Sequence, residues 1–296
     1  MPRRGWPRAV GFVVGVALLG AAVYGAWGQR EAIGEALGHA AATRWWVIGA
    51  ALTLPVLNWL VTCGIFYVLT RAHSERVRPV EMVALVGASW LFNYLPASPG
   101  LFGRVVYHQQ VHGIPWTTSA GVVITAMVTS VCVIVVTLFA GAVLGFESAW
   151  FVAAPLVFAA GSGSVAWVTR RDAGRWRMAV ALALRCVDVY VWAARYYVIL
   201  LALGMEPTPA TALGLGVVSQ AAVLIPFLGN GLGIREWAVG LAGPALPGWA
   251  AAAGRGTALS VDLVNRACEL VVAIPVGLGC AAYLARKARR GAAGTP

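Results

Sequence analysis

Six ionisable side chains lie inside long apolar stretches of the chain, where charged residues are rare. They form two groups with helical spacing, which are Arg185, Asp188 and Arg195 in one stretch and Asp262, Arg266 and Glu269 in another. Residues three, four or seven positions apart share one face of a helix. A charge at the centre of a membrane-spanning helix costs about 2.5 to 3.5 kcal/mol, so we expect these side chains to face inward.

Two interpretations of these charges remain open. As a functional site, they would bind a polar or charged substrate, which is the default interpretation of ionisable groups inside a membrane. As a structural device, they would form local ion pairs, Asp262 with Arg266 and Asp188 with Arg185, that hold the helices in register. We take the functional interpretation as the working prediction.

Two further arginines follow breaks in apolar segments. The segments read Leu95-Pro96-Ala97-Ser98-Pro99-Gly100-Leu101-Phe102-Gly103-Arg104 and Ile225-Pro226-Phe227-Leu228-Gly229-Asn230-Gly231-Leu232-Gly233-Ile234-Arg235-Glu236. In each segment an aliphatic residue precedes a proline, and a glycine follows seven residues after that proline. An arginine follows this glycine, directly in the first segment and after Ile234 in the second. The two breaks therefore have the appearance of an internal repeat.

The chemistry of both breaks favours an anion such as a phosphate. Unpaired amides at the start of a helix attract negative charge, and Arg104 or Arg235 can hold a phosphate through two parallel hydrogen bonds. Glu236 could orient Arg235, bind a cationic head group or a coupling proton, or simply complement the helix dipole. The glycines that would let the backbone approach a ligand are Gly100, Gly103, Gly231 and Gly233.

The elements that must position these residues are membrane-spanning helices. The 296 residues are 60% hydrophobic and 11% charged, with a mean hydropathy of +0.78, which excludes an ordinary soluble domain. A helix of about 18 or more apolar residues can cross a bilayer. The predicted spans are 9–27, 45–70, 117–145, 149–169, 178–204 and 257–285. We interpret the first as an uncleaved anchor, because no small-residue cleavage site follows it.

Basic residues predict the orientation of these spans. The net charge is +11, but the basic residues occur in short clusters between apolar runs, which argues against a nucleic-acid surface. Such clusters remain on the cytoplasmic side. They are Arg3/Arg4/Arg8, Arg71/Arg76/Arg78, Arg170/Arg171/Arg175/Arg177 and Arg286/Lys287/Arg289/Arg290. We therefore expect a multi-pass protein of the cell inner membrane with both termini in the cytoplasm, although Arg30, Arg44 and Arg255 run against this assignment.

The segments 80–116 and 207–247 fit this orientation only if each enters and leaves the membrane on one side. The predicted fold class is thus an all-α polytopic membrane protein with about six full transmembrane helices plus two re-entrant helical hairpins in inverted-topology repeats. The predicted units are 45–169 and 178–285 for the repeats, 1–44 for an anchor span with an external loop, and 286–296 for a basic cytoplasmic tail. The alternative is a bundle of eight spans with ordinary proline kinks.

The two breaks, above all Gly231-Leu232-Gly233-Ile234-Arg235-Glu236, resemble the flippase-like membrane domain of lysylphosphatidylglycerol synthases. The resemblance extends from about the second span to the last. It implies re-entrant hairpins that meet in a cavity and, in the full synthases, movement of an aminoacylated phospholipid between leaflets. Those synthases also carry a soluble aminoacyl-transferase domain, which these 296 residues lack, so we expect no lysyl transfer. The stretch from Ile124 to Ser130 also lacks the Glu/Arg pair of that family.

The functional hypothesis is a lipid-binding membrane protein, a flippase-like transporter that moves an anionic phospholipid or lipid-linked head group between leaflets. The alternative is a non-transporting accessory subunit of a membrane glycolipid or polyprenol-linked glycosyltransferase pathway. An enzyme acting on a lipid phosphate would need more than Glu236, so we predict no enzymatic activity, cofactor or metal. Expected partners are a phospholipid or polyprenyl lipid, with a partner enzyme or a second copy as further candidates.

His108 and His112 could bind a metal, but without a flanking acid they favour a solvated interfacial face.

Overall fold

The computed structural model describes residues 45–74, 77–95, 99–225, 229–231, 233–249 and 255–293, together with positions 31, 34 and 38. In the last of these ranges, side-chain surroundings are described over 258–287. The predicted span 9–27 and the prolines Pro96 and Pro226 lie outside the described residues.

Helices account for nearly all of the described residues, and no strand occurs among them. Their bounds are α1 Trp45–Arg71, α2 Pro79–Phe92, α3 Pro99–His112, α4 Trp116–Leu144, α5 Ala149–Val168, α6 Ala173–Ala202, α7 Pro209–Val223, α8 Ile234–Ala242 and α9 Arg255–Ala293. Two short 3-10 turns, Gly229–Gly231 and Gly243–Ala245, lie on either side of α8. The predicted all-helical class is confirmed for this part of the chain.

Four described helices are long and apolar enough to cross a membrane. They are Trp45–Arg71, Trp116–Leu144, Ala149–Val168 and the stretch Ala258–Lys287 of α9. They correspond to four of the predicted spans. Helix α6 covers the predicted span 178–204 and has 30 residues, but its arginines and aspartate keep it outside this apolar group. The membrane class is therefore supported by four helices, whereas a count of six spans remains a prediction.

The two sequence breaks separate pairs of short helices. Helix α2 ends at Phe92 and α3 begins at Pro99, while α7 ends at Val223 and α8 begins at Ile234. A proline occupies the first turn of α2 and of α7, where its fixed φ and missing amide hydrogen cost nothing. Each pair packs against α9, because α2 and α8 both contact that helix.

Small residues allow several helices to approach closely. A Cβ added at Gly87 on α2 would lie 2.7 Å from Cys280 Sγ on α9, and one at Gly277 would lie 2.4 Å from Leu91 Cβ. At Gly216 on α7, an added Cβ would lie 3.0 Å from the backbone nitrogen of Ala193 on α6. Close packing of this kind is the main attraction between helices in lipid, where no water drives apolar surfaces together.

Gly100 fixes the position of α3 against α2. A Cβ at this residue would lie 2.2 Å from the carbonyl oxygen of Ser89 and 2.6 Å from Asn93 Oδ1. The same contact contains two hydrogen bonds, because the Ser89 hydroxyl donates to the Gly100 carbonyl and Asn93 Oδ1 accepts from the Leu101 amide. An added Cβ at Gly103, one turn further along, would meet no atom within 4 Å.

We predict that Gly100→Ala destabilises the protein by about 1 to 3 kcal/mol, because the new methyl group must push α3 away from α2. The matched control is Gly103→Ala in the same helix, which should leave stability unchanged or raise it by up to about 1 kcal/mol. Thermal unfolding of the purified protein in detergent measures both effects. Equal stability of the two variants would contradict the close contact at Gly100.

Candidate functional site: a buried charge network beside a polar cavity

Glu269 is the most connected carboxylate of the described residues. It lies near the middle of the apolar stretch Ala258–Lys287, and its Oε2 accepts from Arg195 Nη2 at 2.7 Å and from Arg235 Nη1 at 3.1 Å. Its Oε1 accepts from three neutral donors, which are the Tyr94 hydroxyl at 2.7 Å, Trp90 Nε1 at 3.0 Å and Asn230 Nδ2 at 3.2 Å. Glu269 therefore joins α2, the second break, α6 and α8 to α9.

Arg235 is fully buried at the start of α8. Its Nε donates to Asp262 Oδ2 at 3.0 Å, while Nη1 donates to Glu269. The other oxygen of Asp262 accepts from the hydroxyl of Tyr196 on α6. Two carboxylates thus face this single guanidinium, and the charge of Arg235 is satisfied within the protein.

The pair between Asp262 and Arg266, which the structural alternative predicted, is wrong. The two residues share a face of α9, as their spacing predicts. Helix α8 packs onto that face, and its own charged side chains lie closer to each of them. Asp262 pairs with Arg235, and Arg266 pairs with Glu236. Glu236 therefore pairs with Arg266, and not with Arg235, which was one of the roles that the sequence left open for it.

The predicted pair between Arg185 and Asp188 on α6 is present, with a distance of 2.8 Å from Nη1 to Oδ2. Asp188 also accepts from Asn58 Nδ2 at 2.5 Å, which connects α6 to α1. Arg195, two turns further along α6, donates from Nε to Asn265 Oδ1 at 3.1 Å in addition to its bond with Glu269. Both groups of intramembrane charges thus face the inside of the helix bundle.

A cavity of about 230 Å³ lies beside these charges. Asn93 and Leu101 reach it from the two sides of the first break, and Ile225 and Asn230 reach it from the second. The ionisable side chains that line it are Arg104, Arg185, Asp188 and Glu269. The two breaks, which are more than 100 residues apart in the chain, thus contribute to one cavity that is lined by both charged and apolar side chains.

Arg104 differs from the other buried arginines of the described chain because it has no carboxylate partner among the described residues. Its side chain is 5% exposed, and its Nε and Nη1 have no hydrogen-bond partner. The guanidinium carbon lies 3.8 Å from the centroid of the Phe66 ring, a cation–π contact that supplies no negative charge. By contrast, the pairs around it match four arginines with four carboxylates, which are Arg185, Arg195, Arg235 and Arg266 with Asp188, Asp262, Glu236 and Glu269.

The glycines of the second break are needed for the backbone conformation. Gly231 and Gly233 have φ values of 70° and 80°, and Asn230 between Gly229 and Gly231 has φ 54°. Side chains with a Cβ seldom adopt this left-handed region, although Asn tolerates it better than most residues. The turn places the Asn230 amide against Glu269 and starts α8 just before Arg235.

His108 and His112 do not form a solvated face, so that prediction is wrong. Both are buried, because α3 packs against α2 and α4. His112 Nε2 lies 3.2 Å from Glu81 Oε2, and the same oxygen accepts from Lys287 Nζ at 2.7 Å. No group of three or more His, Cys, Asp or Glu side chains suited to a metal ion occurs in the described residues.

Several neutral members of the network were missed from sequence. Asn58 is the most readily found of them, because it is a lone amide inside the apolar run of α1. Trp90, Tyr94 and Asn230 gave weaker signals, since tryptophan and tyrosine also occur at membrane interfaces. Their shared role, donating to Glu269 or Asp188, depends on contacts between helices that are distant in the chain.

We predict that Glu269→Gln lowers the free energy of unfolding by about 3 to 5 kcal/mol, because it leaves buried Arg195 and Arg235 without a shared carboxylate. Glu147→Gln, which changes an exposed residue in the turn between α4 and α5, is the control and should change stability by less than about 0.5 kcal/mol. Denaturation in mixed detergent micelles measures both. A Glu269→Gln protein as stable as the control would show that the network contributes little to folding.

No family model, curated protein or solved structure matches this chain. The function must therefore be argued from the cavity, the two breaks and the charges between them.

Proposed function

We propose that this chain is an integral membrane protein that binds a lipid with an anionic head group and moves that lipid between leaflets. The observation that supports this proposal is the cavity of about 230 Å³ to which both helix breaks and four ionisable side chains contribute. A protein that needed only to span the membrane would gain nothing from charged side chains around a cavity at this place, since each buried charge has a cost.

The position of the polar groups favours a ligand that reaches the cavity from within the membrane. Glu269 lies near the middle of an apolar stretch, and Asp188 and Arg185 lie in the middle third of α6. A ligand that reaches such groups must carry polar or charged atoms into an otherwise apolar layer. A lipid head group on its way between leaflets meets that requirement.

The size of the cavity favours a head group over a whole lipid. Pockets for drug-sized ligands have volumes of about 300 to 1,000 Å³, whereas this cavity measures about 230 Å³. A phosphate with a small polar substituent can occupy such a space while the acyl chains remain in the bilayer. Movement of the head group through a polar path with the chains outside is the mode of transport we propose.

The proposed topology has six full spans and two re-entrant hairpins in inverted repeats, with both termini in the cytoplasm. Two observations support it. The pairs α2–α3 and α7–α8 are short helices on either side of a break, and both breaks reach the same cavity. Interrupted helices of this kind are typical of the binding sites of transporters. The resemblance to the flippase-like domain of lysylphosphatidylglycerol synthases agrees with this arrangement and belongs to the same proposal.

One observation favours the accessory role instead. The charges of α8 and α9 pair with one another, as expected for residues that only stabilise a lipid-binding subunit. In that case the cavity would hold a lipid without releasing it to the other leaflet. The two functions therefore differ in the movement of lipid, which can be measured directly.

The test is reconstitution of the full chain into vesicles that contain a fluorescent anionic phospholipid, followed by quenching of the outer leaflet with dithionite. We expect the protein to increase the fraction of quenched lipid beyond that in protein-free vesicles. Met127→Trp, which adds volume at a cavity-lining position of α4, should reduce this movement to the protein-free rate.

Val128→Trp is the matched control, because Val128 neighbours Met127 on α4 but is 53% exposed on the outer surface of the bundle. It should move lipid like the unmodified chain. If the unmodified chain moves no lipid but retains one anionic lipid through purification, the accessory role replaces transport. If it does neither, the lipid-binding proposal is wrong.

A further inference from the structure

We infer that Arg104 is the anchor of the head group and that the favoured head group is a phosphodiester with one net negative charge. This inference rests on the proposed function and specifies its substrate class. It follows from the charges in and around the cavity. Among the described residues, the positive charge of Arg104 has no carboxylate beside it.

The starting observation is a buried cation without a counter-ion. Arg104 lines the cavity, its side chain is nearly inaccessible, and two of its three guanidinium nitrogens lack a hydrogen-bond partner among the described residues. A buried guanidinium is unfavourable unless an anion and hydrogen-bond acceptors face it. The Phe66 ring at 3.8 Å covers one face of the guanidinium and leaves the edge with its donors for a ligand.

The equivalent arginine of the second break is already satisfied. Arg235 faces Asp262 at 3.0 Å and Glu269 at 3.1 Å, so an anion arriving there would have to displace a carboxylate. Both arginines follow a Pro-Gly-Gly pattern, and each has an unbonded nitrogen, which is Nη2 in Arg235. Two carboxylates already balance the charge of Arg235, whereas no described carboxylate pairs with Arg104. The two breaks therefore have different tasks, with the second one structural and the first one available for a ligand.

The carboxylates of the cavity are not available to a cationic group. Asp188 accepts from Arg185 at 2.8 Å and from Asn58 at 2.5 Å, and Glu269 accepts from two arginines and three neutral donors. A zwitterionic head group would bring an ammonium that finds no free carboxylate. The cavity should therefore discriminate against phosphatidylethanolamine in favour of phosphatidylglycerol.

More than one negative charge would also be disfavoured. A single phosphodiester matches Arg104, whereas a diphosphate would bring further negative charges next to Asp188 and Glu269. Arg185 Nε, also without a hydrogen-bond partner, can add one bond to the phosphate, but its charge already belongs to Asp188. Uncharged polar groups of the lining, such as Thr62, Asn93 and Gln220, suit the hydroxyls of a neutral substituent on the phosphate.

The experiment measures binding of three spin-labelled or fluorescent lipids to the full chain in micelles, namely phosphatidylglycerol, phosphatidylethanolamine and a polyprenyl diphosphate. We expect phosphatidylglycerol to bind most tightly. Arg104→Gln should weaken its binding at least about tenfold, and Arg104→Lys, which keeps the charge but not the forked donors, should retain part of the affinity.

The matched control is Arg170→Gln. Arg170 also stacks on an aromatic ring, with its guanidinium carbon 4.3 Å from the centroid of the Trp167 ring, but it is exposed and outside the cavity. Its replacement should leave phosphatidylglycerol binding unchanged. If Arg104→Gln does not fold, the order of the three lipids on the unmodified chain still tests the inference.

The outcomes separate this inference from the proposed function. Equal binding of the three lipids, tighter binding of the diphosphate, or full binding by Arg104→Gln would overturn the Arg104 anchor while leaving lipid binding intact. Absence of binding to all three lipids would overturn both.

Glycerophosphoglycerol, the same head group without acyl chains, distinguishes the sources of the phosphodiester. If this compound competes with the labelled lipid, the site recognises the head group. If it does not compete even at high concentration, the site recognises the acyl chains and the inference is overturned.

Discussion

The structure depends on the burial of one carboxylate, Glu269, among helices that shield it from water. An ionised carboxylate in such a place is tolerated only when cations and hydrogen-bond donors surround it. Arg195 and Arg235 supply the charge, and donors from α2 and from the segments after α2 and α7 complete the shell. Because these donors come from separate parts of the chain, satisfying this single group fixes the relative positions of α2, α6, α8 and α9.

The same requirement explains why the second break differs from the first. Helix α8 is short, and it begins with an arginine and a glutamate that both insert into the ion pairs of α9. The first break inserts Arg104 between Phe66 and the cavity, where no described carboxylate meets it. Two similar sequence patterns have thus produced one arginine that is paired with two carboxylates and one that has no carboxylate partner among the described residues.

The polar groups of the cavity are held by this arrangement before any ligand arrives. Asp188 and Glu269 face the cavity, but their hydrogen bonds to neighbouring side chains restrict their movement. A preorganised site loses less conformational entropy on binding than a flexible one. The close contact at Gly100 likewise restricts the position of Arg104, because it sets the distance of α3 from α2.

The membrane class, the helical periods, the inward direction of the charged stripes and the pair Arg185–Asp188 were determined by the sequence alone. Each depends on local spacing and on the cost of charge in lipid, which are properties of single helices. The exchange of partners among Asp262, Arg266, Arg235 and Glu236, and the burial of His108 and His112, were decided by tertiary structure. The physical reason is that an ion pair forms with the nearest opposite charge, and after packing that charge belongs to another helix.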